Sequence, residues 1–140
     1  MEQAQLNTKL GQAERLLSQG VLHDAEALYR DILNVLPGQP EASHGLGLIA
    51  LHTGNASAAV ELMQMAAIAL PSDARIHANL GLALATAGDA SSAESCYLKA
   101  IELEEHFVDP RLNLANLLLE AGRTAEAANA YADAERLAPD

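Results

Sequence analysis

The sequence contains few aromatic residues, one cysteine and few basic residues, and each shortage excludes a class of protein. Aromatic residues make up 3% of the chain and tryptophan is absent, so a core must be filled by leucine and alanine. Cys96 stands alone, which excludes an internal disulfide and a zinc site built from several thiolates. With 8 basic and 19 acidic residues, the formal net charge is −11. Because nucleic acid and anionic membrane surfaces require clustered lysine and arginine, we expect neither as a partner.

Long apolar stretches are missing as well. No stretch approaches the roughly 20 apolar residues that a membrane-spanning helix requires. Residues 1–11 contain no continuous apolar run of the kind found in a secretory signal peptide. We therefore expect a cytoplasmic location.

What the sequence does contain is a repeat of 34 residues. Glycine, alanine, a tyrosine or methionine, and a proline each recur with this step. The positions are Gly20, Gly54, Gly88 and Gly122; Ala25, Ala59, Ala93 and Ala127; Tyr29, Met63, Tyr97 and Tyr131; and Pro37, Pro71, Glu105 and Pro139. A fixed period that several residue classes share indicates a repeat array rather than one irregular core.

The pattern resembles the tetratricopeptide repeat family over nearly the whole chain. In that family a Leu-Gly pair is followed by a turn glycine, an alanine, an aromatic residue, a second alanine and a closing proline. The second repeat reads Leu46-Gly47, Gly54, Ala59, Met63, Ala66 and Pro71, and the third reads Leu80-Gly81, Gly88, Ala93, Tyr97 and Ala100, with Glu105 in place of proline. The family's tryptophan is absent; Lys9, Ser43, His77 and Arg111 occupy its position.

This resemblance implies an all-α fold, a right-handed α-solenoid of four tandem helix-turn-helix repeats with eight helices. The chain would form a single domain over residues 1–140, with repeats at about residues 6–39, 40–73, 74–107 and 108–140. Gly47 and Gly81 are expected where paired helices cross most closely. A larger side chain at such a crossing would separate the helices, at a cost of about 1–3 kcal/mol.

Polar residues and prolines predict where several helices begin. Asn55, Asp89 and either Ser72 or Asp73 are expected to cap helices, because their side chains accept hydrogen bonds from the first free N–H groups. Pro40 suits the first helical position. The pair Asp109-Pro110 predicts a cap followed by proline at the first helical position.

The sequence offers no catalytic or metal-binding constellation. His44 and His52 are eight residues apart, about 12 Å along one expected helix, which is too far to share a metal ion. Gly45 and Gly47 lie inside the same helix and form no phosphate-binding loop. We therefore expect no cofactor, no metal and no enzymatic activity in this chain.

The family resemblance implies a concave groove lined by the first helix of each repeat. The expected binding residues are His44, Leu48, His52, Arg75, Asn79, Leu82, Leu112, Asn113 and Asn116, and the wider set of groove positions includes Gly45, Thr86, Leu119 and Glu120. Asn79 and Asn113 are one period apart, and an amide offers both a donor and an acceptor. Two such amides could hold the backbone of an extended peptide while leucines contact its side chains. Alternatively, both are ordinary solvated helix residues.

The function implied is a protein–protein interaction module whose groove binds a peptide or protein segment. The acidic charge suggests a neutral to basic ligand. Residues 20–33 are similar to repeats found N-terminal to bacterial glycosyltransferase or sulfotransferase domains, so a regulatory or substrate-recruiting domain of a larger enzyme is one alternative. Self-association is another, because Tyr131, Ala134 and Leu137 near the C-terminus are expected to lack a covering partner.

Overall fold

The computed structural model describes residues 1–138, which form eight α-helices joined by short turns. The helices are α1 (Gln3–Ser18), α2 (Leu22–Val35), α3 (Pro40–His52), α4 (Ala56–Ala69), α5 (Ala74–Thr86), α6 (Ala90–Leu103), α7 (Val108–Glu120) and α8 (Thr124–Leu137). The predicted all-α class and the number of helices are confirmed. The predicted closing proline of the last repeat, Pro139, and the final Asp140 lie outside the described residues.

The helices form two compact units, the first covering Met1–Pro71 and the second beginning at Ser72. Each unit contains two helical hairpins. In the first unit α3 packs against both α1 and α2, and in the second unit α7 packs against both α5 and α6. Within the described residues, no helix is both long and apolar enough to cross a bilayer.

The turn inside every hairpin closes in the same way. Gly20, Gly54, Gly88 and Gly122 have φ angles of +77°, +85°, +93° and +78°, a conformation that other residues rarely adopt. The residue after each glycine donates its backbone N–H to a carbonyl in the last turn of the preceding helix, as Asn55 does to Ala50 at 2.8 Å. The glycine period therefore sets where α1, α3, α5 and α7 end, as predicted.

Side-chain caps begin several helices at the predicted residues. Asn55 Oδ1 accepts the backbone N–H of Ala58 at 3.2 Å, and Asp89 Oδ1 accepts that of Ser92 at 3.1 Å. Of the two candidates before α5, Asp73 is the cap and accepts from the N–H of Arg75 at 3.0 Å. Pro40 is the first residue of α3, as expected.

The predicted start of α7 is wrong. The helix begins at Val108, its N-cap residue is Phe107, and no side-chain hydrogen bond caps it. Asp109 lies in the first turn and Pro110 is the third helical residue. The helix keeps the phase of α3 and α5, which begin at Pro40 and Ala74. Pro110 is tolerated because the first N–H groups of a helix have no intrahelical acceptor.

Glycines at the helix crossings make room for large side chains, as predicted. A Cβ atom on Gly47 would lie 2.8 Å from Cγ of Met63, and one on Gly81 would lie 2.7 Å from Cε1 of Tyr97. Met63 and Tyr97 are 0% and 1% exposed. These side chains therefore fill the core of their hairpins only because the opposite helix carries hydrogen in place of a methyl group.

Candidate functional site

The second unit contains a cleft of about 300 Å³ between α5 and α7, called here the α5–α7 cleft. Its lining comes from the C-terminal part of α5, from one residue of α6 and from the middle and end of α7. The residues are Leu82, Ala85, Thr86, Tyr97, Asn113, Asn116, Leu117 and Glu120. The structure thus brings together Leu82, Asn113 and Asn116 of the predicted binding residues.

Tyr97 also lines the cleft, although it is not among the binding residues that the sequence predicts. Burial raises the pKa of Tyr97 to about 12, and the negative charges of Cys96 and Glu120 add to this rise. The phenol is therefore neutral near pH 7. Because it packs against Gly81 and also borders the cleft, the same ring serves the core and the surface.

The amides of α7 differ in how they are engaged. Asn116 Oδ1 accepts a hydrogen bond from the Tyr131 hydroxyl, which directs the oxygen of that amide toward α8. Within residues 1–138, the side chain of Asn113 and the amide nitrogen of Asn116 have no hydrogen-bond partner. Hydrogen-bonding capacity at the α5–α7 cleft is therefore available to a ligand.

Exposed leucines accompany these amides. Leu82 in the cleft is 38% exposed, and Leu112 and Leu119 on α7 are 40% and 50% exposed. Leu112 and Leu119 are two turns apart, so they lie on the same side of α7. The exposed side of this helix therefore combines apolar contact area with amide groups.

Arg75 and Asn79 precede Leu82 on α5 by two turns and one turn. The Arg75 guanidinium lies 3.4 Å from the carboxylate of Asp73, the residue that caps the same helix. Burial opposes ionisation of Asp73, but the hydrogen bonds and charge of Arg75 outweigh it and lower the pKa of this carboxyl. Asn79 is half-buried, and its stacking on Asn113 stays a prediction.

In the first unit, the predicted binding residues lie on α3. His44 is only 8% exposed, Leu48 is half-buried and His52 is exposed. Nδ1 of His52 lies 2.8 Å from the Leu48 carbonyl oxygen, so the ring donates this hydrogen bond from Nδ1. Among the described residues, no group of three His, Cys, Asp or Glu side chains is arranged to hold a metal ion.

The predicted groove position Gly45 is wrong, because the structure buries this residue under the ring of Tyr29. A Cβ atom on Gly45 would overlap that ring. Burial raises the pKa of Tyr29 to about 12, with the charge of Glu14 adding to the effect. The same repeat position holds Asn113 two periods later. Because Gly45 has no side chain, the Tyr29 ring packs directly on the α3 backbone. The sequence signal for this contact is that glycine stands where the later repeat has asparagine.

Comparison with known proteins places these features in a family. The tetratricopeptide repeat family matches residues 10–74 and 78–140. The TPR repeat-containing protein PA4299 of Pseudomonas aeruginosa is 37% identical over 103 residues. That match spans 74% of this chain but only 42% of the relative's length.

Several solved structures share the fold. MamA (residues 41 to the end) from Desulfovibrio magneticus RS-1 is 20% identical with a TM-score of 0.85, covering 94% of this chain and 74% of that one. YrrB, described as a TPR protein with an unusual peptide-binding site, is 22% identical with a TM-score of 0.79, covering 94% and 68%. An O-GlcNAc transferase from Thermobaculum terrenum is 27% identical with a TM-score of 0.79, covering 82% of this chain and 22% of that one.

These likenesses agree with the helical-repeat solenoid that the sequence period predicts. Both halves of the sequence match one family description, and the match leaves only a few residues uncovered. On this basis the chain belongs to the tetratricopeptide repeat family.

Proposed function

We propose that this chain is a protein–protein interaction module that binds a peptide or protein segment on the exposed side of the first helices of its repeats. The observation that carries the proposal is the α5–α7 cleft, where exposed leucines adjoin amide groups without hydrogen-bond partners. A peptide backbone presents a donor and an acceptor at nearly every residue, and asparagine amides complement both. Leucines beside them supply the apolar contacts that give a peptide its affinity.

The likeness to YrrB supports this class of ligand, since that protein is described as having a peptide-binding site. The predicted residues of the first unit, His44, Leu48 and His52, form a separate proposed surface on α3. Because His44 is largely enclosed, we assign it a supporting role and place direct contact at His52.

We propose binding rather than catalysis at the α5–α7 cleft. The ionisable groups that line it are the Glu120 carboxylate and the Tyr97 phenol, whose pKa of about 12 keeps it protonated near pH 7. General acid–base chemistry needs groups that exchange protons near the working pH. A cytoplasmic location stays a prediction.

An alternative proposal is a regulatory or substrate-recruiting domain attached to a glycosyltransferase or sulfotransferase domain. A similar fold makes up 22% of the solved O-GlcNAc transferase chain. The α5–α7 cleft would then recruit a substrate protein by the same contacts.

Self-association through α8 is a second candidate function. Tyr131 is half-buried, whereas its counterparts Tyr29 and Tyr97 are each 1% exposed. Leu137 is also partly exposed. We propose that a second copy of this chain covers these side chains.

The experiment is a selection of displayed random peptides on the immobilised chain, followed by affinity measurement by fluorescence anisotropy. Asn113→Ala and Leu82→Ser should each weaken binding of the selected peptides by at least about tenfold, as expected for central contacts of an interface. The matched controls are Asn129→Ala on α8 and Leu98→Ser on α6, both at exposed positions outside the cleft lining. The proposal fails if no peptide is enriched, or if all four variants bind as tightly as the parent chain.

A further inference from the structure

We propose that the α5–α7 cleft receives the side chain of a lysine or arginine from the bound peptide, with the Glu120 carboxylate as its ionic partner. This inference rests on the proposed function and assigns the chemical class of ligand residue that the cleft selects.

The end of two helices makes this part of the cleft electronegative. Thr86 is the last residue of α5 and Glu120 is the last residue of α7, and both line the cleft. The C-terminal end of a helix carries a partial negative charge because its peptide dipoles are aligned along the helix axis. A carboxylate at such an end adds a full negative charge to the partial ones. Both contributions favour a cation.

The second unit does not supply that cation from its own side chains. Within residues 1–138, Glu120 has no hydrogen-bond or ion-pair partner. Each basic side chain of the described part of this unit is engaged elsewhere. The pairs are Arg75 with Asp73, Lys99 with Glu102, Arg111 with the carbonyl oxygen of Glu105, Arg123 with Glu94 and Glu126, and Arg136 with Asp133. None of these basic side chains is therefore paired with Glu120, and its carboxylate is available to a cation of the ligand.

The remaining lining suits the stem of a long basic side chain. Leu82, Ala85 and Leu117 provide apolar surface for methylene groups, which lysine and arginine bury while their charged heads stay hydrated. The Thr86 hydroxyl donates to the Leu82 carbonyl at 2.8 Å, so its oxygen can still accept a hydrogen bond from the ligand. An acidic ligand side chain would face Glu120 and the helix ends, and the cleft should reject it.

The test is a titration of the ¹⁵N-labelled full chain with N-acetyl-arginine amide and N-acetyl-lysine amide, followed by NMR chemical shifts. N-acetyl-norleucine amide is the matched neutral probe, because it has an apolar stem and no charge. We expect saturable shifts at residues 113–121 and at the side-chain amides of Asn113 and Asn116 with the basic probes. The affinity for the basic probes should exceed that for norleucine by at least about threefold and should fall as salt is added.

Glu120→Gln should weaken binding of the basic probes by at least about threefold and leave norleucine binding unchanged. Glu135→Gln is the control, since Glu135 is an exposed carboxylate on α8 of the same unit. Equal binding of basic and neutral probes, an unchanged Glu120→Gln variant, or shifts spread over other acidic residues would each overturn the inference.

The outcomes separate this inference from the proposed function. If selected peptides bind and Asn113→Ala weakens them, but they show no basic preference and Glu120→Gln binds normally, the chain is an interaction module without this subsite. If the basic probes bind at Glu120 but no peptide is enriched, the subsite stands and the proposed peptide function fails.

Discussion

The two units differ most clearly at a single repeat position, which holds Gly45 in the first and Asn113 in the second. At Gly45 the Tyr29 ring packs on the helix backbone, whereas Asn113 places an amide beside the ring of Tyr97 in the α5–α7 cleft. Both tyrosines are 1% exposed, but only Tyr97 also lines a cleft together with the residue at this repeat position.

Gly45→Ala should destabilise the chain by about 1–3 kcal/mol, because the added methyl group overlaps the buried Tyr29 ring. Gly11→Ala is the control: it lies inside α1 with no atom within 4 Å of a new Cβ. Replacing glycine within a helix should there stabilise by about 0.5–1 kcal/mol. Chemical denaturation of both variants measures the difference, and a stabilised Gly45→Ala variant would contradict the contact with Tyr29.

Tyr97→Ala should destabilise by about 3 kcal/mol or more, as a large-to-small change at a side chain that is 1% exposed. Tyr131→Ala, at the corresponding position of α8, should cost less because Tyr131 is only half-buried. Tyr131→Ala would also remove the hydrogen bond that the Tyr131 hydroxyl donates to Asn116 Oδ1. If the two variants have equal denaturation midpoints, the difference in burial assigned to Tyr97 and Tyr131 is wrong.

At the scale of helices, much of the fold was predictable because the determinants are local. Turn glycines need a positive φ, and Asn55, Asp73 and Asp89 cap helices through contacts within a few residues. The start of α7 was not predictable from Asp109-Pro110, because packing keeps this helix in phase with its repeat. A strong local signal was overridden by a period that extends over the whole chain.

The candidate site was predictable only in part. Leu82, Asn113 and Asn116 follow from their repeat positions, and the structure places all three in the lining of the α5–α7 cleft, while their role in binding stays a prediction. The enclosure of His44 and the role of Tyr97 at the cleft depend on the rings and helices that surround them, and no sequence spacing reports those contacts. Which side chains of an inner helix are buried can therefore be determined only from the structure.

The helix caps predict how stability depends on pH. Hydrogen bonds from the hydroxyl and the backbone N–H of Ser92 lower the pKa of Asp89 below its ordinary value of 3.8. The unfolded chain then binds this proton more readily than the folded chain does. The contribution of Asp89 is present above the unfolded pKa and is lost as the pH falls through the lower folded value.

Thermal unfolding at about pH 7 and about pH 3 tests this expectation. Asp89→Asn should reduce the loss of stability between the two pH values, because an asparagine cap does not titrate in this range. The reciprocal change Asn55→Asp should increase that loss. Identical pH dependence in the parent chain and both variants would rule out a contribution from these caps.

At the scale of the whole molecule, the net charge of −11 opposes association of like copies and favours basic partners. Added salt screens this repulsion. Association through α8 should therefore strengthen with salt, whereas binding of basic probes at Glu120 should weaken. The opposite salt dependence distinguishes the two surfaces.

Analytical ultracentrifugation measures the association directly. The mass of the parent chain should rise with concentration, and Leu137→Asp should suppress the rise by placing a charge on the partly exposed side of α8. Ile68→Asp is the control, since Ile68 on α4 is 82% exposed and far along the chain from α8. If Ile68→Asp suppresses association and Leu137→Asp does not, the contact is made by α4 instead.

The identical glycine turns also affect how quickly each unit folds. Within a unit, packed helices are neighbours along the chain or are separated by one intervening helix. Closing such short loops costs little chain entropy, and domains dominated by local contacts fold in about microseconds to milliseconds. Any of the hairpins can therefore nucleate first. A bulky residue at Gly54 or Gly88 would raise the folding barrier of the hairpin that contains it. The other hairpins could still start to fold.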